Sequence, residues 1–261
     1  MALKQRSRGQ SPLAYALTEK AVWRMLKMPE RYAKGKGRSV GLGKGTLLYF
    51  RIVRWCAALI QPAKYVESMD AVPQPCVFLC RHKNMQGPIY SMSHLWPQCR
   101  PWILYPFCDR KEFARQMYGY TLTTRLGWPK WIARPAAPFF AFFVVPLITA
   151  MRSIPVYRHD GRIRETFRQS LEALEAGDNL MIYPDIEYTS RAETVSDVYD
   201  GFFMLERLYR RKTGRHIPFV PVHIDMAKRS IRYGEAVLFG DGDYNAEKTA
   251  ARKKLLRELN D

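Results

Sequence analysis

The sequence predicts an α/β fold, a mixed sheet flanked by helices, and three observations carry that prediction. Short apolar runs of strand length recur at residues 76–80, 102–107, 153–158, 179–183, 218–224 and 236–239, bounded by proline, glycine or charge. Helical periodicity fills several of the intervals between them, most clearly at residues 162–176. The 261 residues, 47% of them hydrophobic, are enough for one large domain with a real core. Strands alternating with helices indicate layers of helix on sheet.

Taken in order, residues 12–33 mix apolar and basic side chains in the pattern of a short amphipathic helix with Pro29 near its end. Residues 34–46 read as a flexible basic loop. Its Gly43-Lys44-Gly45-Thr46 is not a phosphate loop, because that motif needs Ser or Thr directly after the lysine. Residues 47–60 form a second helix, apolar nearly all round, with Arg51 and Arg54 on one side. Two readings of it stand: a helix in a membrane interface with snorkelling arginines, or an ordinary core-packing helix. Residues 1–62 are accordingly expected to be an N-terminal amphipathic helical membrane-binding segment, and residues 63–261 the α/β domain.

The apolar run at 76–80 stops at Arg81-His82. His82 then sits at the carboxyl end of a buried strand, where open α/β sheets place their ligand crevices. The ordinary alternative is a structural imidazole. A helix is expected at 88–95 and a strand at 102–107, and residues 109–134 are mixed. Residues 135–151 are uncharged between Arg134 and Arg152 and hold Phe139, Phe140, Phe142 and Phe143. At 17 residues, with prolines at 135, 138 and 146, the segment reads as a helix buried in protein or lying in an interface rather than as a membrane span. The helix at 162–176 presents Ile163, Phe167, Leu171 and Leu174 on one face and stops at Gly177. A strand at 179–183 ends at Pro184, and a helix follows over 195–212. The strand at 218–224 contains Pro221, which predicts an edge or irregular position. The strand at 236–239 and a polar, basic helix at 245–260 complete the chain.

Charge narrows the function. Forty-two Lys and Arg against 24 Asp and Glu give +18, and residues 1–54 hold 13 of the basic residues with only 2 Glu. Such a front attracts phosphate, in nucleic acid or in anionic lipid headgroups. No nucleic-acid motif is recognisable and apolar clusters interleave the charge, so lipid is the expected partner and nucleic acid is not. The five cysteines form no metal-ligand spacing, which points to reduced thiols in a cytosolic setting and to no metal. The front also lacks the apolar core and cleavage site of a secretory signal.

Four blocks now stand in order: Phe78-Leu79-Cys80-Arg81-His82 with Gly87 and Pro88; Ser153-Ile154-Pro155-Val156-Tyr157-Arg158; Leu180-Met181-Ile182-Tyr183-Pro184-Asp185 running on to Arg191; and Ile217-Pro218-Phe219-Val220-Pro221-Val222. Their order and spacing resemble the glycerolipid acyltransferase family, of the type that acylates 1-acylglycerol 3-phosphate. The family's blocks run NHxxxxD, G-x-I-P-V-x-R, F-P-E-G-T-R-S and I-P-V-x-P-V. The resemblance covers roughly residues 50–240 and departs at two places. The family aspartate falls at Gly87, and the Gly-Thr-Arg of the third block is replaced by Glu187-Tyr188-Thr189-Ser190-Arg191.

The resemblance implies an acyltransferase at the inner, cytoplasmic face of a membrane, peripherally attached. Its acyl donor would be a thioester of acyl carrier protein or coenzyme A, its acceptor a hydroxyl on a lysophospholipid, and it would use no cofactor beyond that co-substrate. His82 would be the general base. Asp185, Glu187 or Asp109 would supply the carboxylate missing at Gly87, and Arg158, Arg191 and Thr189 would bind the acceptor, with phosphate on the guanidinium of Arg158. An ion pair with Asp160 or Glu165 is the ordinary reading of Arg158. The altered motifs leave a second function open: a catalytically degenerate protein of this fold that binds lipid or a partner.

Overall fold

The computed structural model describes residues 44–83, 85–95, 99–158, 161–186 and 197–260. The predicted helix at 12–33 and most of the loop at 34–46 lie outside these residues. The elements in chain order are α1 (Lys44–Ile60), β1 (Tyr65–Val66), β2 (Val77–Cys80), α2 (Gln86–Leu95), β3 (Cys99–Leu104), α3 (Arg110–Gln116), a π-helical segment (Met117–Arg125), α4 (Lys130–Ala150), β4 (Ile154–Val156), α5 (Ile163–Glu175), β5 (Asn179–Ile182), α6 (Met204–Thr213), β6 (Phe219–Asp225), β7 (Ser230–Tyr233) and α7 (Tyr244–Asn260).

The apolar runs at 76–80 and 179–183 become β2 and β5, buried on both faces, as expected of central parallel strands. One seven-stranded sheet runs in the order β1-β7-β6-β2-β5-β3-β4. The strands from β6 through β2, β5 and β3 to β4 are all parallel, and β7 turns back antiparallel to β6. The sheet is therefore mixed, as the sequence predicts. Side chains alternate between two cores. Val77, Leu79, Leu180 and Ile182 face α5, α6 and α7, where they meet Leu174, Phe203, Leu205 and Leu255. Phe78, Cys80, Met181, Val220 and Val222 face the other way, onto Tyr90 and Leu95 of α2, Phe50 of α1 and Ala150 of α4.

Several expectations need correction. Residues 105–107 form a 3-10 turn, so the strand predicted at 102–107 is instead β3, ending at Leu104. The helix predicted at 195–212 is a 3-10 turn at Gly201–Phe203 followed by α6. Residues 236–239 make only a single bridge, between Val237 and Phe219. Pro221 lies inside the sheet, opposite Leu79 of β2, and not at an edge. The sheet tolerates it because Gly234, its neighbour on the other side, is already past the end of β7. Gly234 donates its N–H to the Pro221 carbonyl, and the return bond that proline cannot make is the one at which the β7 ladder stops. Gly177 does end α5. At φ 82° it forms a C-terminal cap in which its own N–H reaches Leu174 and that of Asp178 reaches Ala173.

The connection from β3 to β4 is long and helical. It carries α3, the π-helical segment and α4, which pack on one another through Phe113, Leu122, Ala133, Ala137, Ala141 and Val145. The uncharged stretch at 135–151 thus falls in α4, a 21-residue helix that begins at Lys130 and keeps all three prolines inside it. One face of α4 is buried and the opposite face is not.

Candidate active site at the carboxyl edge of the sheet

Because β2, β4, β5 and β6 are parallel, all four sequence blocks end on the same edge of the sheet. Leu79 of β2 is in register with Ile182 of β5. Three residues beyond each lie His82 and Asp185, and register alone brings them together. The backbone N–H of His82 donates to Oδ2 of Asp185 at 2.8 Å. The N–H of Lys83 also reaches this carboxylate. Burial pushes the Asp185 pKa up, while the two amides and the charge of Arg81 pull against that rise. The second oxygen, Oδ1, is buried without a hydrogen-bond partner among the described residues.

The imidazole is held separately. The N–H of Met85 donates to Nδ1 of His82 at 3.2 Å, so the neutral ring carries its proton on Nε2. The connection that makes this contact is tight. Lys83 and Met85 have φ of 41° and 73°, in the left-handed region that non-glycine residues seldom occupy, and Gly87 donates back to the His82 carbonyl at 3.2 Å. The Tyr183 ring stands edge-on to the imidazole, with centroids 5.9 Å apart. Its hydroxyl shares a 2.8 Å hydrogen bond with Ser91, whose Oγ also donates to the Gly87 carbonyl at 2.7 Å. Tyr183 and Ser91 therefore tie β5 to α2 behind His82, and burial pushes the Tyr183 hydroxyl well above its ordinary pKa.

Gly87 is closed to an aspartate. A Cβ there would lie 1.8 Å from the Arg81 carbonyl oxygen, so that backbone would have to shift. Of the carboxylates considered as substitutes, Asp109 is engaged elsewhere: it caps α3 by accepting the N–H groups of Lys111 and Glu112 at 2.9 and 3.0 Å. Asp185 is bonded to the backbone N–H of His82. Glu187, Thr189 and Arg191 lie outside the described residues.

Arg158 follows β4, three strand spacings or about 14 Å from β2. The side chain is exposed and leans over the ring of Tyr199 at 5.6 Å. Tyr199 donates its N–H to the Pro184 carbonyl, and its neighbour Val198 bridges to Asp185. Arg158 is thereby connected to the His82 side of the edge through one aromatic ring. The Glu165 carboxylate is taken by Arg168 and Gln169, whose hydrogen bonds hold its pKa at about 2. A second cationic feature escaped the sequence reading. Arg162 lies over both Tyr105 and Tyr157, at 4.7 and 4.5 Å, on the same edge of the sheet. Its only signal in the sequence is the nearness of Arg162 to Tyr157.

The thiol nearest the site is not a nucleophile. Cys80 is buried, and desolvation drives its pKa far above the ordinary thiol range. Cys99 is pushed up to about 12 in the same way. Among the described residues no group of His, Cys, Asp and Glu is placed to hold a metal ion. The arrangement offers an imidazole and, further along the same edge, a guanidinium, groups suited to proton transfer and anion binding.

No protein-family model, curated protein or solved structure matches this chain.

Proposed function

We propose that this protein transfers a fatty acyl group from a coenzyme A or acyl-carrier-protein thioester to a hydroxyl of a lysophospholipid or related lipid. One observation carries the reading: the four sequence blocks fall on four parallel strands, so that His82, Asp185 and Arg158 share one edge of the sheet. In the reaction, His82 takes the acceptor's hydroxyl proton as the oxygen attacks the thioester carbonyl. The tetrahedral intermediate then collapses, the carbon–sulfur bond breaks, and the imidazolium returns its proton to the leaving thiolate. Arg158 binds the acceptor's phosphate. For Nε2 to act as the base, Nδ1 must carry the other proton. The Met85 contact has to open first, a loss of about 1 kcal/mol for one ordinary hydrogen bond.

A second reading has observations of its own. The Met85 amide on Nδ1 and the steric closure at Gly87 both favour a lipid-binding protein of this fold without catalysis. Labelled acyl thioesters of both kinds, offered with a panel of lyso-acceptors, decide between them. Transfer that disappears in His82→Ala supports the first reading. Lipid binding without transfer, unchanged in His82→Ala, supports the second.

A further inference from the structure

Helix α4 has two apolar faces, and the described residues cover only one. Ala133, Ala137, Ala141, Val145 and Ile148 are buried. On the opposite side Trp131 is 76% exposed, Phe139 60% and Phe142 59%, with Ile132 and Phe143 beside them. No charged residue interrupts this face after Arg134. An apolar patch of this kind on one element marks a contact surface. It continues onto α1, which packs against α4: Tyr49 bonds the Phe143 carbonyl, and Leu48 and Ile52 are exposed.

The charges around the patch identify the occupant. Lys130 and Arg134 lie at the start of α4, and Arg110 and Lys111 on the adjoining α3 are exposed, with Arg110 over the Phe142 ring, while Arg115 is paired with Glu112. A second copy of the chain would bring two such basic rims together. A surface of anionic lipid would neutralise them. We infer that the outer face of α4, with Leu48 and Ile52 of α1, inserts into the interface of an anionic membrane, with the helix lying along the surface and not crossing it.

Two features set the depth. The buried face of α4 is fixed in the protein, and its end runs into β4 through Arg152, which pairs with Asp178 at 2.6 Å and whose carbonyl accepts Arg100. The helix cannot leave the core to span a bilayer without breaking these contacts. Pro135, Pro138 and Pro146 also deprive the carbonyls of Trp131, Arg134 and Phe142 of their i+4 amide donors. Such carbonyls are costly in hydrocarbon and tolerated among headgroups and water.

The inference stands apart from acyl transfer, and its test reads binding alone. The full chain is floated with vesicles of phosphatidylcholine mixed with phosphatidylglycerol, and with phosphatidylcholine alone. Wild type should float mainly with the mixed vesicles, and Phe139→Ser/Phe142→Ser should bind about 100-fold more weakly. Both phenylalanines are largely exposed, so the melting transition should be unchanged, which separates lost binding from lost folding. Phosphatidylcholine brominated in its acyl chains should quench emission that is missing in Trp131→Phe. Flotation of the double variant at the wild-type level would overturn the inference. So would a wild-type dimer that the double variant dissociates, or a Trp131 shielded from acrylamide yet untouched by brominated lipid, because then protein covers the patch.

Discussion

Asp185 accepts the backbone N–H of His82 at 2.8 Å, and the imidazole of the same residue takes its hydrogen bond from Met85. The carboxylate thus fixes where the His82 backbone runs, while a backbone amide fixes the tautomer of its ring. In a base–carboxylate dyad one group would do both, and the energetic consequence differs. A carboxylate on Nδ1 stabilises the protonated imidazole, whereas an amide N–H on Nδ1 opposes protonation there. In the proposed acyl transfer, turnover by His82 therefore depends on the Met85 contact opening.

The Asp185 carboxyl should leave a mark on stability against pH. Its folded pKa is raised above the ordinary 3.8, chiefly by burial. The folded state thus holds the proton more tightly than the unfolded state. The stabilisation from this group is complete below 3.8 and is lost as pH rises through the raised folded pKa. Glu165, Asp197 and Asp225 have lowered values and slope the other way. The informative quantity is hence the difference between wild type and Asp185→Asn. Urea melts across the acid range should show wild type losing stability relative to the variant as pH rises. A flat difference would mean that Asp185 titrates normally.

Gly87→Asp, which places here the aspartate of the family the sequence resembles, should not bring a carboxylate to His82. The new Cβ would meet the Arg81 carbonyl oxygen at 1.8 Å, so α2 or the turn before it must move. A loss of about 3 kcal/mol or more is expected, with Gly87→Ala nearly as damaging, since the clash is at Cβ. Equal melting temperatures for wild type and Gly87→Ala would show that the turn yields freely.

How far the sequence could be read shows in particular residues. The strands at 76–80 and 179–183 were legible because both faces of each are buried, which leaves an unbroken apolar run. That put His82 and Asp185 at strand ends but not beside each other, because β2 and β5 are separated by about a hundred residues and their pairing is tertiary. Pro221 read as an edge or irregular position; it is not at an edge, and the β7 ladder stops beside it. The left-handed backbone at Lys83 and Met85 gave no signal at all. Left-handed backbone normally announces itself through Gly or Asn, and here Lys83 and Met85 adopt it, with the surrounding contacts holding them there. The apolar length of α4 was plain, but its prolines and aromatics could not say which face the protein covers.

Arg158→Ala should raise KM for a phosphate-bearing acceptor far more than it lowers kcat. The guanidinium is exposed and rests on Tyr199, so in the proposed reaction it would contribute binding without touching the reacting centre. Losing a charge-assisted contact corresponds to about 10- to 100-fold in kcat/KM. Arg158→Lys should recover only part of it, since an ammonium lacks the two-pronged geometry. An acceptor without phosphate should be handled equally by wild type and variant. If that acceptor suffers the same loss, Arg158 holds the edge together and does not bind phosphate.

His82 and Cys80 stand two residues apart at the end of β2, and either could be taken for the reactive group. Their surroundings separate them. Cys80 is buried and its thiol is held protonated by desolvation, so it offers no thiolate to an acyl thioester. His82 is half-buried at the edge. Cys80→Ala should keep turnover within a few-fold, with any loss matched by a lower melting temperature from the cavity. His82→Ala should lower kcat about 100- to 10,000-fold with the fold intact. Iodoacetamide gives an independent check: the exposed Cys56 should be alkylated in the folded protein and Cys80 only after denaturation. Fast alkylation of Cys80 together with inactivation would move the chemistry from the imidazole to the thiol.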